Sequence, residues 1–296
     1  MPRPLFYAGF AFALLASAAA AQEAPTTASE EVVVTGQRTE EVVRTFVNEI
    51  SVEMGRTDQL ARWDRRICPG VAGLRGRYAQ FLIDRMAQRA FEVGLDVGEP
   101  GCRANILIIV TLDPDAMAEH LYDDHRDALG YFYERGRNTL GRTALRAFVT
   151  SDAPVRWWHV SRTVTEQGDR IADTSDGSAP VTFALGNSSR LSRSTHQDLG
   201  AAFIIVDARR LADIDSDFGA LADYVAMVTL AQVDADADTA GLATILNLFS
   251  GESAPRALTD WDIAYLRGLY GAESNDSARR QSGEIARTMG QDLPQD

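Results

Sequence analysis

The apolar and polar positions divide the chain into segments of different period. Thr39–Glu53 carries Val42, Val43, Phe46, Val47 and Ile50 at helical spacing, opened by Glu40 and Glu41 near the positive end of the helix dipole. Tyr78–Val93 repeats that pattern and stops at Gly94, with Leu82, Met86 and Phe91 on its apolar face and Arg85 and Arg89 outside. Ala104–Leu112 (ANILIIVTL) is a continuous β-branched run, the pattern of an interior strand covered on both faces. Pro114 opens a helix through about Ala128, and Leu129–Gly141, with Gly130, Gly136 and Gly141, reads as a loop able to form a flap. Pro154–Thr165, Ser188–Gln197 and Ala201–Asp207 are strand-like, the last read as an edge strand. From Asp217 the pattern is helical to about Met289.

Within that last region Asp217–Val233 (DFGALADYVAMVTLAQV) is apolar nearly all round. Such a helix is a buried core element, and Tyr224, Val225, Met227 and Val228 are its packing residues. No internal repeat is visible. The order helix, strand, helix, several strands, long helix and helical C-terminal region describes a single α+β domain with a mixed sheet over residues 39–290, followed by a disordered tail at 291–296.

Composition narrows the function more than it defines it. The 296 residues are 45% hydrophobic and 24% charged, enough to build a real core. A net charge of −13 argues against nucleic-acid binding and against docking to anionic lipid. All 29 basic residues are arginine, which excludes the P-loop lysine, Schiff-base chemistry and a lysine general base. GxSxG, Walker A and GxGxxG patterns are absent, as is HExxH.

Met1–Ala21 has the form of a secretory leader: Arg3, an apolar run over Leu5–Ala16, and small residues at Ala19-Ala20-Ala21 before Gln22. The apolar run is short for a membrane span. The mature chain is expected to be exported to the periplasm or beyond, with no membrane insertion. Residues 22–38 read as a flexible tether, within which Val32, Val33, Val34, Thr35 and Gly36 form a β-prone segment. The run Glu30–Arg38 resembles the TonB box that follows the leader of TonB-dependent outer-membrane receptors. That resemblance implies strand addition to a TonB-like partner; the residues alone read as a β-prone tether or the first strand of the domain.

Cys68 and Cys102 are the only cysteines, and in an exported chain they are expected to form a disulfide rather than to supply a catalytic thiol. The four histidines are His120, His125, His159 and His196. His120 and His125, five apart, lie about 140° apart on a helix and are not expected to share a ligand face. Alternating acids at Asp213–Asp217 and Asp234–Asp238 resemble calcium loops but lack glycine at the sixth position, and they read as caps and turns. Glu252 with Asp260 and Asp262 is conceivable as a carboxylate pair, although Thr259 and Asp260 are better placed to cap a helix. Neither a metal nor a cofactor is expected.

Leu221–Val233, Thr244–Phe249 and Ala257–Tyr270 together resemble the C-terminal half of the DUF2927 group of exported, zincin-like proteins. The match lies in Gln232, Ile245–Phe249, Leu258-Thr259 with Asp262, and Leu269-Tyr270. Segments Cys68–Leu74 and Gly101–Asn105 are similar to a family of uncharacterised exported proteins. The resemblance implies a zincin-like fold, but Tyr224, Val225 and Val228 stand where zincins carry zinc ligands, so it carries over no catalytic residue. The expected function is binding of a protein or peptide at a cleft bordered by the Gly130–Gly141 loop and the Trp157-Trp158-His159 strand. The alternatives are a hydrolase with ligands drawn from His120, His159, His196 and the acids, or a structural envelope component.

Overall fold

The β-branched run after Asn105 does form an interior strand, and the longest strand of the sheet lies beside it. In the computed structural model, residues 40–54, 57–131, 137–169, 193–212, 218–251 and 254–294 are described. Helix α1 spans 40–50. Short strands β1 (Ala61–Arg62) and β2 (Pro69–Ala72) precede helix α2 (Gly76–Glu92) and strand β3 (Ile106–Thr111). Helix α3 (Pro114–Asp124), strand β4 (Arg137–Asn138) and helix α4 (Arg142–Thr150) lead into the long strands β5 (Val155–Thr165) and β6 (Thr195–Asp207). Helices α5 (Phe218–Leu230), α6 (Asp260–Gly271) and α7 (Ala278–Asp292) complete an α+β architecture.

The sheet has six strands in the order β2-β3-β6-β5-β4, with β1 pairing the start of β6. It is mixed: β1, β2, β3 and β6 pair in parallel, while β5 runs antiparallel to β6 and β4 antiparallel to β5. Strand β6 is therefore not an edge. One side is bonded to β5, and the other to β1 at Gln197–Asp198 and to β3 from Ala202 to Asp207. An apolar run announces burial on both faces, which an interior strand and a covered edge strand share; its neighbours lie far away in sequence.

Alternation along the strands sorts side chains into two cores. Ile106, Ile108, Val110, Ala202, Ile204 and Val206 face α1, α2, α5, α6 and α7. Ile109, Trp158, Val160, Phe203 and Ile205 face α3 and α4. The sheet is thus covered on both sides, the thicker layer being built around α5. Twelve residues of α5 from Gly219 to Leu230 are buried, so the helix is enclosed as its sequence predicts. Burying Leu221, Val225, Met227 and Val228 contributes about 1.5–3 kcal/mol each. Helices α6 and α7 approach closely at Gly268, where a Cβ would lie 2.9 Å from the Ile285 Cα.

Several boundaries and faces differ from expectation. Helix α3 stops at Asp124 rather than near Ala128, because the chain turns at His125. On α2, Arg89 is buried and Phe91 is 65% exposed. Residues 82, 85, 86 and 89 make one helical face, whereas residue 91 lies about 180° from residue 82, so the arginines and not the phenylalanine point at α5. Val42 of α1 is likewise exposed while Val43, Phe46, Val47 and Ile50 are buried.

After α5 the described residues of 231–259 include no α-helix, so the expected helical run is interrupted. There Asp234 accepts from the Asp236 amide and Asp238 from the Ala240 amide, local bonds that compete with helix formation. A 3-10 turn at Ile245–Phe249 follows. At the C-terminus α7 reaches Asp292 and Leu293 is buried, so order extends past the expected start of the tail. Cys68 and Cys102 are joined by a disulfide, with Cα atoms 6.1 Å apart.

Candidate functional site

Strand β5 reaches beyond its outer neighbour. β4 pairs only with Ser161 and Arg162, leaving 155–160 without a strand on that side among the described residues. The Pro154 carbonyl accepts from the Asp207 amide, so by antiparallel alternation the backbones of Arg156, Trp158 and Val160 face β6. Those of Val155, Trp157 and His159 face outward. No hydrogen bond among the described residues uses these outward groups.

They lie at the floor of a cleft of about 200 Å³. One wall is Leu140 and α4, through Ala144, Ala147 and Phe148; the other is Tyr224 with the segment Gln232–Asp236. The side chains of β5 divide between these walls. Trp158 is buried toward α4 beside Phe148, its indole N–H donating to the Leu129 carbonyl at 2.9 Å. Arg156 also lies on that side, donating to the Asp115 carboxylate at 2.6 Å and to the Val149 carbonyl. Trp157 and His159 turn the other way. The Trp157 indole donates to the Val233 carbonyl at 3.0 Å, and its ring meets Tyr224 edge-on at 6.3 Å; Tyr224 in turn meets Phe249 at 5.2 Å.

His159 is 3% exposed, and its Nε2 donates to the Thr229 carbonyl at 3.4 Å. Burial pulls its pKa down to about 4, with the Thr229 carbonyl opposing in part, so the imidazole is neutral at pH 7. Burial likewise pushes the Tyr224 hydroxyl upward. That hydroxyl makes no hydrogen bond among the described residues. Gln232 is 5% exposed, and its Nε2 lies 3.6 Å from the Met54 sulfur. A thioether accepts but does not donate, which places the NH₂ there and leaves Oε1 without a partner.

The tryptophans and His159 thus all line the cleft, but on opposite faces of one strand, so they do not form a single patch. The expected second border is only partly in view, because 132–136 lie outside the described residues. Val32, Val33, Val34, Thr35 and Gly36 also lie outside them, as do the Asp213–Asp217 run and Glu252. Sequence reading assigned Tyr224 to packing and noted Gln232 only as part of a family resemblance. The alternation of Trp157 and His159 against Trp158 was the available signal that this strand has two different faces.

The other candidates have structural employment. Asp262 is fully buried, its carboxylate accepting from Thr244, Ile245 and Thr259 in a capping box that opens α6. His196 is buried with Nε2 3.1 Å from an Asp64 carboxylate oxygen. The rings of His120 and His125 meet edge-on at 5.3 Å, because α3 ends between them and the helical angle no longer applies. No group of three or more His, Cys, Asp or Glu side chains able to hold a metal ion occurs among the described residues. No family model, curated protein or solved structure matches the chain.

Proposed function

We propose that this protein works by binding, taking an extended peptide segment along the outer edge of β5. The observation that carries this reading is the set of outward backbone groups of Val155, Trp157 and His159, unbonded among the described residues and lying in a cleft. Buried backbone groups without partners cost about 1–3 kcal/mol each, and an added strand satisfies them while its alternate side chains enter the two walls. Half-buried Trp157 is the point of access, since Val155 and His159 are 1% and 3% exposed.

The enclosed α5 following β6, and the capped α6 beyond it, support a degenerate zincin-like scaffold, from which the interior position of β6 is a departure. The disulfide supports an exported, oxidising setting. Val32–Arg38 is proposed as a second strand donor, directed at a TonB-like partner.

Titration of isotope-labelled protein with a short capped peptide of alternating valine and threonine tests the cleft. The amide resonances of Val155, Trp157 and His159 are expected to shift, and an N-methylated version of the same peptide is expected to leave them in place. Unmoved resonances with the first peptide would overturn the reading. For the N-terminal segment, recovery on an immobilised TonB periplasmic domain is expected to fall with Val33→Pro; equal recovery removes that role.

A further inference from the structure

We infer that this chain's own N-terminal segment, Val32–Thr35, takes the outer edge of β5 and fills the cleft until another strand displaces it; this rests on the proposed binding at that edge. The segment lies outside the described residues, but the place where the chain enters the fold puts it within reach. Helix α1 begins at Glu40 and ends against the cleft wall. There the Ile50 carbonyl accepts from the Asp234 amide at 2.9 Å, and Ser51 bridges Val233 in antiparallel fashion. The Val233 carbonyl in turn accepts from the Trp157 indole, so only this wall separates the end of α1 from the open edge. From Glu40 to Ile50 the helix rises about 15 Å, and crossing from Val233 to the β5 backbone adds less than about 10 Å. The path is therefore about 25 Å even if α1 points straight away from the cleft. Val34 and Val32 stand six and eight residues before Glu40. An extended chain covers about 20 Å in six residues and about 26 Å in eight, so the valines arrive.

Chemistry agrees with reach. Val32, Val33, Val34 and Thr35 are all β-branched, the residue type that a pleated edge accepts. Their alternate side chains enter the two walls, Ala144, Ala147 and Phe148 on one side and Tyr224 and Val233 on the other. Other segments outside the described residues are less well placed. The antiparallel pairing of β4 with Ser161 and Arg162 means that the chain enters β4 from the Thr163 side, away from Trp157. Residues 170–192 join the fold at Asp169 and Arg193, beside the Thr165–Thr195 pair at the far end of β5. A short link gives a tethered segment an effective concentration on the order of 1 mM, so a cis contact with a Kd of about 0.1 mM fills about nine clefts in ten. A competing peptide then binds about tenfold more weakly than it would to an empty cleft. One segment cannot add to two sheets at once, so capture of Val32–Arg38 by a TonB-like partner opens the cleft.

The test titrates the capped valine–threonine peptide by calorimetry into the full chain as wild type, Val33→Pro and Val33→Ile. Proline removes the N–H that a strand ladder needs, whereas isoleucine keeps both the donor and the β preference. Val33→Pro is expected to bind the peptide about tenfold more tightly than wild type, and Val33→Ile to match wild type. In the free proteins, amide hydrogen exchange at Trp157 and His159 is expected to be slow in wild type and faster in Val33→Pro. Equal affinity and equal exchange in wild type and Val33→Pro overturn the inference and leave the edge reading intact. An advantage of Val33→Pro that varies with protein concentration, with a dimer seen by light scattering, places the segment in a second copy and overturns occupancy in cis. Absence of binding by all three proteins overturns both readings.

Discussion

Arg89 of α2 forms a two-pronged salt bridge with Asp223, the one charged residue of α5: Nε and Nη2 lie 2.8 and 2.9 Å from the two carboxylate oxygens. Arg85 repeats the arrangement at 2.8 and 2.9 Å, and the Leu258 amide donates as well, so the fully buried carboxylate is surrounded by donors. This is what allows a charge inside a helix that is otherwise enclosed by apolar side chains.

Removal of Asp223 therefore strands two guanidinium groups. Asp223→Ala is expected to destabilise by roughly 3–5 kcal/mol, and Arg89→Ala to cost more than Arg85→Ala, whose side chain is 26% exposed against 10% for Arg89. Burial raises the Asp223 pKa, but hydrogen bonds from Arg89, Arg85 and Leu258 outweigh it and hold the group below the usual carboxylate range. A folded pKa below the unfolded value contributes stability that is present above about pH 4 and lost as pH falls through the folded pKa. Urea denaturation of wild type and Asp223→Asn from pH 5 to pH 2 checks this. The two curves are expected to converge in acid, and a constant separation would contradict the linkage.

The same helix makes a second expectation. Val228 is fully buried and belongs to the larger apolar core built around α5. Val228→Asp is expected to cost several kcal/mol and to send most of the protein to the insoluble fraction, because an unpaired buried carboxylate is far more costly than a lost valine. Soluble variant with wild-type near-ultraviolet circular dichroism would refute enclosure of α5 on that side.

Sequence made α5 legible because nothing but tertiary burial accounts for thirteen nearly unbroken apolar residues. It made β3 legible for the same reason, and Thr259 legible as a cap because that chemistry is local, although the reciprocal partner in the capping box is Asp262 and not the expected Asp260. What it could not carry was pairing. The β6 run reads the same whether or not a strand lies on either side, and only the distant β1, β3 and β5 make it central. Nothing local marks Asp223 as the centre of a charge cluster, because Arg85 and Arg89 reach it on α2 from more than 130 residues away. The cleft was half legible: Trp157-Trp158-His159 marked the strand, but its outward backbone depends on β4 stopping at Ser161.

The disulfide offers an independent check on compartment and stability. Cys68 and Cys102 tie the segment before β2 to the approach to β3, next to the Asn105 side chain that accepts from the Cys68 amide at 2.6 Å. Cys68→Ser with Cys102→Ser is expected to lower unfolding free energy by about 2–4 kcal/mol. Alkylation of the non-reduced protein followed by intact-mass measurement is expected to add nothing, while reduction first is expected to expose two thiols. Labelling without reduction would contradict the bond.

His159 links the cleft to pH. It is buried between β5 and the Thr229 carbonyl of α5, and burial lowers its pKa from 6.5 to about 4. The unfolded chain therefore binds a proton that the native state refuses between those values, so native stability rises with pH across that window. Full stabilisation holds above about pH 6.5 and is lost as pH falls toward 4, a change of roughly 3 kcal/mol. Glutamine at this position retains an N–H donor for the Thr229 carbonyl and does not titrate. Chemical denaturation of wild type and His159→Gln at intervals from pH 7.5 to 4 isolates the effect, since Asp223 acts only below it. The wild-type curve is expected to fall more steeply than the variant's by that amount; parallel curves would mean that His159 takes up its proton in the folded protein as readily as in water.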